Sequence, residues 1–424
     1  MPPPVRFARL DQWLEWQQSA HPLAIDLGLE RVARVLQRTG WGGFRQPVIT
    51  VGGTNGKGSC VALLDAMLRA GGFRVGTFTS PHLVDYRERI RIDGEWVSEA
   101  SLVAAFERIA DARCDDSLTF FEFNTLAALL VFETAGPDAI VLEVGLGGRL
   151  DAVNVVDADV AVVVSVGLDH MEYLGADVES IGREKAGIFR PGRAAICGMP
   201  EPPRSVAQMA GSVGARMLVR GRDFRGDERA DGTWDFRDVQ GELTDLPAPA
   251  LQGVAQVGNA ATALAALREL SSRLPLTREA IERGLREVQL PGRFQRVSTP
   301  DGIEWIFDVA HNPDAAAVLA ANLARHPARG RTLAVCGMLS DKDVPAVLAA
   351  LRGRIDRWFA ATTDGPRGLS DAAMAGRGAE AGIEMIPGGT VCEAMQVAVK
   401  DARAGDRIVV FGSFHTVGPA LSCV

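Results

Sequence analysis

A lysine set among glycines is the first group in this chain able to do chemistry. It lies in Val48–Cys60, VITVGGTNGKGSC. Glycines let backbone N–H groups close on an anion, the lysine adds a compact positive charge, and a helix N-terminus behind them favours phosphate. The stretch departs from the strict phosphate loop, G-x-x-x-x-G-K-[ST]. Val51 stands where the first glycine belongs, and Gly58 follows Lys57, so the hydroxyl waits until Ser59. A plain glycine-rich turn is the bland reading; a strand before it and a helix after it favour phosphate.

Other reactive groups follow apolar runs. Ser80 comes after RVGTFT, Glu143 ends the run in DAIVLEVG, and Asp169 and His170 follow VAVVVSVG. In open α/β sheets ligands sit outside the carboxyl ends of the strands, so these groups belong on one rim. Phosphate needs backbone N–H groups and a lysine, and magnesium needs hard oxygen ligands plus phosphate oxygens. Each group has a quieter reading. Ser80 before Pro81 suits the N-cap and first position of a helix. His170 alone reads as structural. Glu143 resists dismissal, because an unpaired carboxylate in an apolar strand costs several kcal/mol. Lys185, on the short helix of SIGREKAGIFRPG, reads from spacing alone as a solvated lysine. EVGLGGRLD lacks the full G-x-G-x-x-G of a dinucleotide fold, and fits a loop close to substrate, with Arg149 and Asp151 as contacts.

The elements that must position these groups alternate. Helical patterns appear in DLGLERVARVLQRTG, GSCVALLDAMLRAGG, SEASLVAAFERIA and FNTLAALLVFETAG, separated by short apolar strands. RERIRIDGEWV reads as a hairpin, and the polar stretch from Asp223 to Pro247 as further hairpins. This pattern predicts a doubly wound, mostly parallel α/β domain. LPGRFQRV breaks it, and IEWIFDVA, RTLAVCGM, DRWFAAT and DRIVVFGS begin a second α/β run. The boundary is expected near Gln295, giving domains 1–295 and 296–424.

Composition narrows the class. With 424 residues, 47% hydrophobic and 23% charged, the chain reads as a globular protein of two domains. A net charge of -8 argues against a nucleic-acid binder. The expectation is a cytoplasmic protein with neither a signal peptide nor a membrane span. The six cysteines form no C-x-x-C pair and are expected to be reduced thiols, with no zinc site.

Together, AIDLGLERV, GTNGKGS, SPHLVDYRERIRI, TFFEFNTL, LEVGLGGRLDAVN, GLDHMEYLG, SIGREKAGIF, GNAATALAAL, LPGRFQ, FDVAHNPDAA, GMLSDKD and GSFHTVG resemble, in order, the dihydrofolate synthase/folylpolyglutamate synthase family, relatives of the Mur ligases. The resemblance covers nearly the whole chain, and AIDLGLERV and TFFEF look most like the bacterial bifunctional branch. It implies a Mur-ligase-like ATPase domain followed by a smaller Rossmann-like domain. The family's own loop reads GTNGKGS or GTNGKGT, so the departure from the strict motif is shared.

The resemblance also implies roles. Thr54, Asn55, Gly56, Lys57, Gly58 and Ser59 hold ATP phosphates, and Asn259, Arg293, Asp308 and His311 complete the ATP site. Ser80, Glu143 and His170 are magnesium positions. Lys57, Lys185 and His170 are the catalytic set, Lys185 as a carbamate. Ala24, Ile25, Asp26, Leu27, Thr119, Phe121, Leu150, Asp151 and Ala152 bind the pterin. The implied reaction is ATP-dependent amide formation between L-glutamate and dihydropteroate or reduced folates through an acyl phosphate, in a monomer. Arg293 and Asp308 would sense closure. The rivals are a nucleotide-switch ATPase, which needs no second substrate, a kinase that stops at a phosphorylated product, and a Mur-type ligase acting on a nucleotide-sugar.

Overall fold

The computed structural model describes residues 6–423. They divide into two compact units. The first holds the chain up to Pro81, Arg87–Ala248 and Val257–Val288; the second holds His82–Tyr86, Pro249–Gln256 and the chain from Gln289 on.

The first unit is built on β1 (Val48–Gly52), β2 (Val75–Phe78), β3 (Ile90–Ile92), β4 (Glu95–Trp96), β5 (Ala139–Glu143), β6 (Val160–Val163), β7 (Ala194–Cys197) and β8 (Arg216–Val219). They form one sheet in the order β4-β3-β2-β5-β1-β6-β7-β8. The hairpin β3–β4 joins β2 antiparallel, and every other pair is parallel. Every residue of β1 and β5 is buried, as continuous apolar runs require when helices cover both faces. From β1 the chain winds to one side through β2 and β5, then crosses to β6, β7 and β8. The carboxyl end of β1 is therefore where the winding reverses, the place where such sheets bind ligands.

Helix Lys57–Ala70 leaves that end of β1. Helix Arg278–Glu287 packs on it at Gly284, where a Cβ would lie 2.5 Å from the Met67 Cα. Only glycine permits so close an approach. A three-stranded antiparallel sheet, β9 (Phe224–Glu228), β10 (Trp234–Asp238) and β11 (Gly241–Leu246), accounts for the expected polar hairpins.

The second unit contains β12 (Gln295–Ser298), β13 (Glu304–Asp308), β14 (Thr332–Cys336), β15 (Arg357–Thr362), β16 (Ile386–Thr390) and β17 (Arg407–Phe411). Their order is β12-β13-β17-β14-β15-β16, with β12 antiparallel at one edge and the rest parallel. Ile306, Ala334 and Val409 enter one core cluster, and their neighbours Phe307, Val335 and Val410 enter another. Alternate side chains thus feed a core on each face.

The quieter reading of Ser80–Pro81 needs correction. No helix begins at Pro81: the Ser80–Pro81 peptide is cis, and the next element is the 3-10 turn Tyr86–Arg89. Cys392 and Cys423 come side by side where helices Val391–Asp401 and Phe414–Leu421 pack together. Among the described residues no helix is long and apolar enough to cross a membrane.

Candidate active site

Gly56 decides the shape of the glycine-rich loop. Its φ is +82°, and a Cβ there would lie 2.9 Å from Val164 Cγ1 and 3.1 Å from Asn259 Oδ1. The left-handed turn aims the start of helix Lys57–Ala70 at whatever lies outside β1. The contact also places Asn259, on helix Gln256–Glu269, against the loop. Lys57 Nζ donates to the carbonyls of Gly53 (3.0 Å) and Thr54 (3.3 Å), so the ammonium stays over the loop.

Hydrogen bonds fasten this loop to the segment that follows β6. Thr54 N donates to Ser165 O at 2.9 Å. The Thr54 hydroxyl donates to Gly167 O at 3.2 Å and accepts from Gly167 N at 3.0 Å. The Ser165 hydroxyl accepts from Asn55 N and donates to Asn55 O, both at 2.8 Å. Thr54 thus spends its donor and one acceptor position on structure. Ser59 is buried in the first turn of the helix.

The candidate groups follow adjacent strands. Glu143, buried at the end of β5, accepts from Ser80 N at 3.1 Å. Its charge, after burial itself, helps push the Cys60 thiol up to about 12. Asp169 accepts from His170 N at 3.0 Å, and His170 takes a left-handed conformation at the head of helix Met171–Leu174. Four adjacent strands, β2, β5, β1 and β6, therefore end in Ser80, Glu143, the phosphate loop and the Asp169–His170 turn.

Lys185 is not a solvated lysine. It is 4% exposed on helix Val178–Ala186. Its ammonium makes no hydrogen bond or ion pair among the described residues. Desolvation, then repulsion from Lys57, lowers its pKa to about 7, against the pull of Asp169 and Asp151.

Asp151 caps the 3-10 turn Ala152–Val155, accepting from Val153 N at 3.0 Å and Leu146 N at 2.8 Å. Burial raises its pKa to about 7. Arg149, beside Leu150, pairs with Glu184 at 2.9 Å. Thr119 is the N-cap of helix Phe120–Ala135, in a reciprocal capping box with Glu122. Phe121 is half-buried, and a Cβ on Gly145 would lie 2.5 Å from its ring. Ala24, Ile25, Asp26 and Leu27 lie in the irregular stretch before helix Glu30–Arg38. There Arg31, which nothing in its local sequence singled out, pairs with both Asp26 and Glu122.

The remaining candidates belong to the second unit. Asp308 ends β13 and accepts from Phe294 N at 2.9 Å and Ala310 N at 2.8 Å. Burial raises its pKa, opposed by Arg293, those amides and His311. The Arg293 guanidinium lies 5.2 Å over the Phe414 ring, with the His311 ring 6.5 Å away. Since Asp308 pairs with Phe411, these groups share the rim where β13 and β17 end.

The two halves of the chain match two family models. Residues 51–267 match the Mur ligase middle domain, and residues 292–414 match the glutamate ligase domain of Mur ligases. The dihydrofolate synthase/folylpolyglutamate synthase of Escherichia coli K12 is 46% identical over 98% of this chain and 95% of its own. The structure of E. coli FolC in complex with DHPP and ADP superposes with a TM-score of 0.92 at 46% identity, covering 98% of this chain and 97% of that one. A bifunctional folylpolyglutamate synthase/dihydrofolate synthase with Mn, AMPPNP and L-glutamate bound gives 0.90 at 44% identity, covering 98% of both chains.

Proposed function

The chain belongs to the dihydrofolate synthase/folylpolyglutamate synthase family of Mur ligases, and on that premise we propose how its rim residues divide the work. The enzyme is an ATP-dependent ligase that adds L-glutamate to dihydropteroate and to folates. The observation that carries the residue assignment is that the loop bearing Lys57 and the carboxylate of Glu143 leave the adjacent strands β1 and β5 where the first sheet reverses, with Lys185 buried and unpaired in the same unit.

In this reading Thr54–Ser59 cradle the triphosphate, and the Lys57 ammonium neutralises the γ-phosphoryl group as it transfers. The pteroate carboxylate oxygen attacks γ-phosphorus, ADP leaves, and an acyl phosphate forms. The glutamate amine attacks the acyl carbon, loses a proton, and expels phosphate. The chain needs no nucleophile of its own, and its contribution is position and charge. Ala24–Leu27, Thr119, Phe121 and Leu150–Ala152 hold the pteroate; Asn259, Arg293, Asp308 and His311 hold ATP. The portion up to residue 295 binds ATP and pteroate, and 296–424 serves glutamate and adds Asp308 and His311 to the ATP site.

Ser80, Glu143 and His170 suit magnesium. No group of three or more His, Cys, Asp or Glu forms a closed metal cage among the described residues. A hydroxyl, one buried carboxylate and an imidazole leave room for the phosphate oxygens and waters that magnesium keeps. When bound, the ion screens negative charge on the phosphates.

Lys185 is the carbamate position. Its neutral amine adds to the carbon of CO₂ and releases a proton, replacing a buried cation by a carboxylate beside Lys57. Burial without an ion-pair partner, and a pKa of about 7, support this. The enzyme is proposed to act as a cytoplasmic monomer, where its soluble substrates meet; fractionation and light scattering check this. The central experiment is glutamate incorporation with dihydropteroate and tetrahydrofolate side by side. ADP release that depends on both glutamate and a pteroate supports the reading, and release independent of them sinks it.

A further inference from the structure

The stretch Ala24–Leu27 is held in place without being buried. Ala24 is exposed, and Ile25, Asp26 and Leu27 are half-exposed. Among the described residues, only one backbone hydrogen bond is made by 24–28: Asp26 O accepts from Arg31 Nη2 at 2.6 Å. Arg31 Nη1 also holds the Asp26 carboxylate, and His21 Nε2 lies 3.4 Å from its Oδ2. An irregular segment with so little backbone support owes its position to that guanidinium.

The other edge of the guanidinium reaches a different element. Arg31 Nε donates to both Glu122 oxygens, at 2.9 and 3.0 Å. Glu122 Oε2 also accepts from Thr119 N at 2.8 Å and from the Thr119 hydroxyl at 3.0 Å. One planar fork therefore joins Ala24–Leu27 to the helix end that carries Thr119 and Phe121. Helix Glu30–Arg38, which bears Arg31, also packs on the 3-10 turn Ala152–Val155. A lysine could not serve these directions, because it is a point charge without the fork.

We propose that Arg31 is a positioning residue for pteroate: it sets Ala24–Leu27 against Thr119 and Phe121, and through them fixes affinity for the pteroate substrate without entering phosphoryl transfer. The inference rests on the pteroate site proposed above. Core packing would bury the segment that Arg31 organises, whereas a wall held rigid yet accessible is what a binding site needs.

The test uses the full-length enzyme, steady-state kinetics and thermal melting. Arg31→Lys keeps the charge that Glu122 and Asp26 face, so it avoids two uncompensated carboxylates. It should raise KM for dihydropteroate about tenfold or more, with kcat, KM for ATP and KM for glutamate within about twofold. Asp26→Asn, which keeps the carbonyl contact, should give a smaller rise in the same constant alone, and it carries the test if Arg31→Lys does not fold. Phe121→Ala probes the site itself. If Phe121→Ala raises KM for dihydropteroate and neither Arg31→Lys nor Asp26→Asn does, the site stands and the inference falls. If Phe121→Ala leaves it unchanged, the pteroate site is wrong and the inference falls with it. If all three KM values and the melting temperature shift together, Arg31 is merely structural and the proposal is overturned.

Discussion

The two sheets finish their central strands in different chemistry. At the rim of the first, two lysines lie close to the phosphate loop: Lys185 is buried with its pKa lowered to about 7, and Lys57 Nζ donates to the carbonyls of Gly53 and Thr54. At the rim of the second, charge is absorbed: each Asp308 oxygen receives a backbone amide, and the Arg293 guanidinium lies over an aromatic ring. A buried amine without a hydrogen-bond partner, as at Lys185, is suited to act on a ligand, whereas a carboxylate that receives two backbone amides, as at Asp308, holds a surface together. On the proposed roles, the first rim carries phosphoryl transfer and the second holds the nucleotide.

Substitutions at the first rim should therefore cost turnover, and those at the second should cost stability. The largest effect is expected at Lys57. Lys57→Ala should lower kcat by about 10³-fold or more with melting temperature unchanged, because the charge stabilises transferring phosphate and supports no core. Lys57→Arg should fare little better, since a forked guanidinium does not replace a compact ammonium. Near-normal turnover in either variant breaks the comparison at its root.

Lys185 comes next. Lys185→Ala and Lys185→Arg should both be nearly inactive, and acetate or formate should partly restore the alanine variant. The sign of the pH effect follows from the lowered pKa of about 7. Above that value the amine is neutral and takes up CO₂; below it the ammonium forms and the carbamate is lost. Bicarbonate should reactivate decarboxylated enzyme with a rate that rises through pH 7, and ¹³C-bicarbonate should yield a carbamate resonance absent from Lys185→Arg. A fully active arginine variant without that resonance ends the carbamate assignment.

Thr54 sharpens the comparison within the first unit. Thr54→Val is nearly isosteric but loses both contacts with Gly167. KM for ATP should rise about tenfold, because the loop is misplaced rather than stripped of charge, and Thr54→Ser should restore it. Equal activity in the valine variant would show that the tether is dispensable.

The smallest kinetic effect is expected at Asp308. Asp308→Asn must turn an NH₂ toward one of the two backbone amides that the carboxylate now receives. It should lose about 1–3 kcal/mol of stability in denaturant titration, with a modest rise in KM for ATP. A collapse of kcat with unchanged stability would mean the second rim does chemistry too.

Much of this was legible in the sequence, for physical reasons. The phosphate loop could be read because strand, left-handed glycine, lysine and helix are contiguous. Glu143 could be read because a carboxylate has no bland place in a buried strand. β16 escaped because Ile386–Thr390 is IPGGT, and its proline and glycines signal a turn. The quieter reading of Ser80–Pro81 as a helix start fails because the pair suits a cap by type alone, while the next element is the 3-10 turn Tyr86–Arg89. Arg31 was invisible because its partner Glu122 lies 91 positions away. The buried state of Lys185 depends on how its helix packs, which spacing does not encode.

The seam between Thr54–Asn55 and Ser165–Gly167 has a consequence for engineering. A phosphate loop is commonly treated as a portable cassette that can be cut out and replaced by its motif. Here the cassette has a lining sewn to another strand: one serine hydroxyl bonds both backbone groups of Asn55, and one threonine hydroxyl bonds both of Gly167. Transplanting a strict G-x-x-x-x-G-K-T loop between Gly52 and Ser59 without a threonine at position 54 would leave both Gly167 groups without the Thr54 hydroxyl, and the Ser165 bonds would survive only if the new backbone kept its path at position 55. A graft that keeps its shape must carry residues 164–167 with it, so the heritable module is a pair of loops more than a hundred positions apart in the chain.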